Sequence, residues 1–237
     1  MAIAFVTGAT SGIGKAIAVK LKSLGYDVVG AGRDRSKLND LKTIYDINGI
    51  QINFDDLSDL ERKLDGLAPD VLINNAGMMP PLSPFCDANF LDIQRTLNTN
   101  LTATLALTHI LAPRMRSKQN GHIIFTGSTA GHSPFPNLAA YCASKFAISG
   151  FARALQLELA SSNIRVTEIV AGRVETNLYS EIVNDETRAA MYANQSAVQP
   201  NDIAEMVSAV LKMPSYVDVT RFDIIPTKQS VSTGSKK

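Results

Sequence analysis

The chain has 237 residues, 45% of them hydrophobic and 19% charged, a globular composition long enough to bury one large core. Its 23 basic and 22 acidic residues leave a net charge of +1, which offers no electrostatic case for nucleic acid or an anionic membrane surface. Cys86 and Cys142 are too few for a disulfide framework or a cysteine metal cluster, and His109, His122 and His132 show no ligand spacing, so no metal is expected. No apolar run reaches membrane-spanning length and no basic segment precedes the short apolar start, so the expected location is the cytoplasm.

Short apolar or β-branched runs alternate with segments of helical period along the whole chain. The pattern predicts strands at 2–7, 27–31, 50–54, 71–74, 122–126, 165–170 and 220–226. Helices are predicted at 12–24, 36–44, 58–67, 90–115, 140–160 and 201–212. Strand and helix in turn imply parallel strands with crossover helices. The expectation is a single-domain α/β fold over 1–229, a doubly wound Rossmann-type sheet of about seven strands with helices on both faces, followed by a polar tail at 230–237. Val71-Leu72-Ile73 fits a strand buried on both faces.

The first predicted strand runs into Thr7-Gly8-Ala9-Thr10-Ser11-Gly12-Ile13-Gly14 at the mouth of a helix. Glycines there permit a tight turn and close backbone approach, and the helix N-terminus offers free N–H groups to a phosphate. Gly8, Thr10, Ser11, Gly12, Ile13 and Gly14 are therefore the expected pyrophosphate cradle of a dinucleotide cofactor, although glycines are frequent in any strand-to-helix turn. The second strand ends in Gly30-Ala31-Gly32-Arg33-Asp34. An acidic tip would favour the free ribose hydroxyl of NAD, whereas Arg33 suits the 2′-phosphate of NADP. NADP is favoured, with Asp34 as the N-cap of the next helix; a reading with Asp34 on the ribose of NAD stays open.

Farther along, Ser128 directly follows the fifth predicted strand, where its hydroxyl can hold and polarise a substrate oxygen. Tyr141 and Lys145 lie four apart, on one face of a helix. A free tyrosine has a pKa of about 10, and Lys145 is expected to lower that of Tyr141 by stabilising its phenolate. Cys142 is expected to be a small core-facing residue.

With these motifs in hand, the chain resembles the short-chain dehydrogenase/reductase family along nearly its whole length, and its terminal strand Phe222-Asp223-Ile224-Ile225-Pro226-Thr227 resembles the 3-hydroxy acid and serine dehydrogenase-like branch. The likeness is carried by the Thr7–Gly14 turn, Asp56-Leu57, Asn74-Asn75-Ala76-Gly77, Asn100, Ser128 and Tyr141-Cys142-Ala143-Ser144-Lys145, in the family's order. The resemblance implies a catalytic set of Asn100, Ser128, Tyr141 and Lys145, with Asn100 anchoring a water that links Lys145 to solvent; nearby Asn98 is a possible register alternative. It also implies adenine contacts from Asp56 and Leu57, a loop fixed by Asn74, and Asn75, Ala76 and Gly77 along the cofactor. Tyr141 and Lys145 would touch the cofactor too, Lys145 at the ribose. Where the family commonly has Pro-Gly, this chain has Ala171-Gly172, and Gly172, Val174 and Thr176 are placed at the nicotinamide end.

Residues 177–199 should form a lid over the substrate. Arg173 either grips a substrate carboxylate or sulfonate or pairs with Glu175. The expected activity is NADP(H)-dependent hydride transfer between nicotinamide and a small alcohol or carbonyl, such as a 3-hydroxy acid or related aldehyde. NAD-dependent reduction of a steroid, sugar or other ketone remains an alternative, as does a catalytically silent nucleotide sensor. The resemblance further implies a homodimer or homotetramer through the helices at 90–115 and 140–160.

Overall fold

The structure is a computed structural model that describes residues 1–54, 56–180 and 182–228. Seven parallel strands form one sheet in the order β3-β2-β1-β4-β5-β6-β7. They are β1 (Ile3–Thr7), β2 (Asp27–Gly32), β3 (Asn48–Gln51), β4 (Val71–Asn74), β5 (Gly121–Thr126), β6 (Ile164–Ala171) and β7 (Arg221–Ile224). Helices α1 (Gly12–Ser23), α2 (Arg35–Tyr45) and α8 (Pro200–Leu211) cover one face. There Ile17, Leu21, Leu41, Ile203 and Val207 meet Val6, Ile73 and Ile169. The other face carries α3 (Leu60–Lys63), α5 (Ala103–Lys118) and α6 (Ala139–Leu159), whose Leu107, Leu111, Ile148 and Ala152 pack on Phe5, Leu72 and Phe125. β4 is buried at all four positions, as a strand covered on both faces must be.

Strand order reverses between β1 and β4, which leaves a crevice at their carboxyl ends where such sheets bind ligands. The short helix α4 (Phe90–Leu97) lends Asp92 and Arg95 to its lining, and α7 (Asp185–Tyr192) lies between β6 and α8 in the chain.

The structure moves several expected boundaries. The strand expected at 50–54 pairs with β2 only over Asn48–Gln51. The Ile52 N–H still donates to Gly32 O at 2.9 Å, and Phe54 is buried past the last paired residue, so the apolar run marked burial that outlasts the pairing. The helix expected at 58–67 shrinks to α3, because Gly66 turns the chain with φ +70°. The expected continuous helix at 90–115 is interrupted by a π turn at Asn98–Thr102 between α4 and α5. The tail expected at 230–237 lies outside the described residues.

Candidate active site

A cleft of about 1030 Å³ opens at the switch point. Gly8, Ser11, Gly12 and Ile13 form one wall. Gly8 and Gly12 adopt φ values of +66° and +50°, conformations that side chains resist. Gly14 does not line the cleft; a Cβ there would lie 2.3 Å from the Gly8 carbonyl oxygen and 2.4 Å from Asn75 Nδ2. Only glycine lets α1 cross so close to the turn. Thr10 also lies off the cleft, packed against Gly32, where a Cβ would meet Thr10 Cγ2 at 2.7 Å. Ser11 makes no side-chain cap, so the N-terminus of α1 presents its N–H groups and positive dipole to the cleft. These features fit an anionic pyrophosphate.

Thr7 and Asn75 lock the facing loop. Thr7 Oγ1 donates to Ile73 O and accepts from the backbone N–H groups of Asn75 and Ala76 at 2.9 and 3.0 Å. Asn75 Nδ2 donates to Thr7 O at 3.0 Å. Asn74, expected to hold this loop, instead donates to Thr108 Oγ1 on α5 at 3.1 Å. Alternation along β4 sends its side chain to the helix face, so the loop is held by its neighbour. Asn75, Ala76 and Gly77 all line the cleft.

Arg33 also lines the cleft, joined by Lys37 from the first turn of α2. Asp34 caps α2 by accepting from the Lys37 N–H at 3.1 Å, which ties its carboxylate to the helix rather than to the cleft. Asp56 and Leu57 are not among the cleft's lining residues. Asp56 Oδ1 accepts from the N–H and hydroxyl of Ser58 at 3.0 and 2.7 Å, bonds that hold this carboxyl below the usual range.

At the other end Ser128, Tyr141 and Lys145 converge on the cleft. Ser128 Oγ accepts from the Ala130 N–H at 3.1 Å and caps the short turn Thr129–Gly131. Tyr141 is only 7% exposed. Burial pushes its phenol above the ordinary tyrosine value, and a hydrogen bond with Ser128 pulls the other way without overcoming it. This reverses the depression expected from the sequence: Lys145 Nζ donates to Thr126 O at 2.8 Å and lies 5.7 Å from the centre of the Tyr141 ring, so burial prevails. Burial also lowers Lys145 to about 8, opposed by the negative charge of Glu168. Cys142 is buried beside Tyr141, with its sulfur against the Phe135 backbone.

Asn100 sits in the π turn, 2% exposed, rather than on the helix surface. It accepts from the Met78 N–H at 2.7 Å and donates to Met78 O at 2.9 Å and to Ser144 Oγ at 3.3 Å. Ser144 in turn donates to Tyr141 O at 2.7 Å. Asn98 opens the same π turn but is half-buried rather than enclosed.

The remaining wall holds Gly172, Arg173, Val174 and Thr176. Leu178, Tyr179 and Ile182 add surface to it from the segment expected as a lid. Tyr192 OH donates to Thr176 O at 3.0 Å, and Arg173 Nη1 donates to Met191 O at 3.3 Å, so α7 is tied to this wall twice. Glu175 accepts from Gln199 Nε2 at 2.8 Å. Lys37 and Tyr179 escaped the sequence reading. A cation four residues after Arg33 was the available signal for the first, and nothing local marks the second.

Among the described residues no helix is long and apolar enough to cross a membrane. A family model described as short chain dehydrogenase matches residues 2–187. An uncharacterized short-chain type dehydrogenase/reductase of Sinorhizobium fredii is 40% identical over 230 residues, covering 97% of this chain and 93% of the relative. An NADP-dependent 3-hydroxy acid dehydrogenase of Salmonella typhi is 32% identical over 238 residues, with 96% of each chain covered. Among solved structures, the closed form of a serine dehydrogenase complexed with NADP+ superposes with a TM-score of 0.92 at 30% identity, covering 97% of both chains.

Proposed function

We propose, from the premise that this chain belongs to the short chain dehydrogenase family, that it reduces a small carbonyl compound bearing an acid group, with NADPH as hydride donor. The observation that carries this reading is one cleft with an open helix N-terminus at one end and a buried, protonated Tyr141 bonded to Ser128 at the other. NADP(H) is the cofactor. Arg33 and Lys37 would take its 2′-phosphate, the first turn of α1 its pyrophosphate, and Gly172, Val174 and Thr176 its nicotinamide end. The printed NADP dependence of the Salmonella relative and the NADP+ in the serine dehydrogenase support this assignment.

When bound, the reduced nicotinamide supplies hydride to the carbonyl carbon. The protein's part is to place the substrate and supply the proton. The Ser128 hydroxyl holds the carbonyl oxygen against Tyr141, and negative charge gathers on that oxygen as the carbon is reduced. Tyr141 then delivers its phenolic proton, leaving a phenolate beside the Lys145 ammonium. A phenol that keeps its proton until this moment suits carbonyl reduction better than alcohol oxidation. In this scheme Asn100 orders the loop and α6 through Met78 and Ser144.

The acid group is assigned from Arg173 and Tyr179, which line the same cleft; Tyr179 packs in one cluster with Tyr141. A guanidinium and a phenolic hydroxyl are apt donors for a carboxylate. The 3-hydroxy acid and serine named for the two relatives carry such a group. Residues 177–199 would then act as the substrate lid. The same proposal includes a cytoplasmic homodimer or homotetramer, supported by Phe90 and Leu91 at 71% and 62% exposed on α4 and Leu157 at 78% on α6; light scattering that finds a stable monomer removes this part.

The test follows NADPH absorbance with 3-oxo acids and their methyl esters. Tyr141→Phe should lower kcat by at least about 100-fold while the NADPH Kd stays within about threefold. The free acids should exceed their esters in kcat/KM by about tenfold. Parent-like turnover by Tyr141→Phe would overturn the reading.

A further inference from the structure

Glu168 stands in the middle of β6, 2% exposed, in a strand otherwise suited to apolar residues. Burying a carboxylate is costly unless it is paired and hydrogen-bonded, and a valine there would satisfy the fold. The surroundings are nevertheless shaped to receive it. Ser149 Oγ donates to Oε2 at 3.0 Å, and His132 Nε2 lies 3.0 Å from Oε1. Gly127, just past β5, leaves the room: a Cβ there would come within 2.5 Å of Oε1. Ser149 lies one helical turn beyond Lys145, so the carboxylate is gripped on the face of α6 that carries the amine.

We propose that Glu168 is a positioning residue for the reaction: a buried counter-charge that keeps the Lys145 amine charged beside Tyr141 without touching substrate. The inference rests on the roles proposed above for Tyr141 and Lys145. The groups around this pair come from four elements. Tyr141 and Cys142 share α6 with Lys145, and His132 comes from the turn after β5. On the neighbouring β7, Arg221 is engaged with Asp223 at 2.8 Å. Tyr179 acts on Tyr141 from the lid. Set against these neighbours, the Glu168 charge on β6 opposes the effect of burial on Lys145. A buried amine that loses its proton can no longer stabilise a phenolate, so a fixed anion at this depth extends the pH range over which the tyrosine can give its proton away.

The experiment titrates Lys145 in the cofactor-free protein, using carbon-13 NMR of its Cε resonance assigned by comparison with Lys145→Met. The parent should titrate with a midpoint of about 8. Glu168→Gln, nearly isosteric and still able to bond Ser149, should move the midpoint down by about one unit. The alkaline limb of kcat/KM for carbonyl reduction should move with it. Ser149→Ala, which removes one hydrogen bond and no charge, should lower the Tm and leave the midpoint in place, separating a charge effect from a merely structural one. Superimposable titrations of parent and Glu168→Gln overturn the proposal. The NMR midpoint is independent of turnover, so it is read whether or not the proposed activity is found.

Discussion

Asn100 and Met78 are joined at two points: the Met78 N–H donates to Asn100 Oδ1 at 2.7 Å, and Asn100 Nδ2 donates to Met78 O at 2.9 Å. The same amide reaches Ser144, which reaches the Tyr141 carbonyl. One buried side chain thus couples the loop after β4 to the first turn of α6, and the π turn at Asn98–Thr102 places it there.

Asn100→Asp tests that coupling. The carboxylate can still accept from Met78 N–H but cannot donate to Met78 O, leaving two buried acceptors face to face. The expected cost is about 1–3 kcal/mol in urea unfolding, with kcat lowered by at least about tenfold. An Asp variant with parent stability and rate would mean that the two-point contact carries no strain when broken.

Arg33 and Lys37 yield a prediction about cofactor choice. Arg33→Ala should raise the KM for NADPH by about tenfold or more and leave that for NADH within about twofold; Lys37→Ala should have a smaller effect of the same sign. Asp34→Ala discriminates the competing reading. As the cap of α2 it should cost about 1 kcal/mol of stability and leave NADH kinetics unchanged. A selective loss of NADH use in Asp34→Ala would place Asp34 on the ribose.

A third prediction concerns acid. His122 is 2% exposed, with Nε2 2.7 Å from Thr167 Oγ1, and burial pushes its pKa down to about 3, assisted by the Arg165 charge. Below an unfolded value of about 6.5 the unfolded chain takes up a proton that the folded chain refuses, so stability drains away as pH falls from about 6.5 toward about 3. Between pH 7 and pH 5 the parent should lose about 2 kcal/mol more than His122→Gln in denaturant unfolding. Equal losses would show that His122 does not contribute to acid sensitivity.

Particular residues show how far local pattern reaches. The Gly8-to-Gly14 turn was legible because backbone geometry at Gly8, Gly12 and Gly14 calls for glycine. The spacing of Tyr141 and Lys145 was legible because helix periodicity converts four residues into one face, and the Asp34 cap because its hydrogen bond is local. What the pattern missed depends on pairings distant in sequence. Whether Asn74 or Asn75 ties the loop to Thr7 is decided by which face of the sheet each one meets. Glu168 meets His132 and Ser149 across 36 and 19 residues, and a charge inside a buried strand was its one visible trace. The direction of the Tyr141 shift was missed for a related reason: spacing reveals a neighbouring amine but not how little water surrounds the phenol.

The two bonds that fasten α7, from Tyr192 and from Arg173, both end on main-chain oxygens, those of Thr176 and Met191. A peptide carbonyl is present whatever side chain the residue bears. Replacements at positions 176 and 191 therefore leave the acceptors in place, so the fastening depends on the donors Tyr192 and Arg173 rather than on those two side chains. Drift at these two positions can accumulate without unhooking the helix.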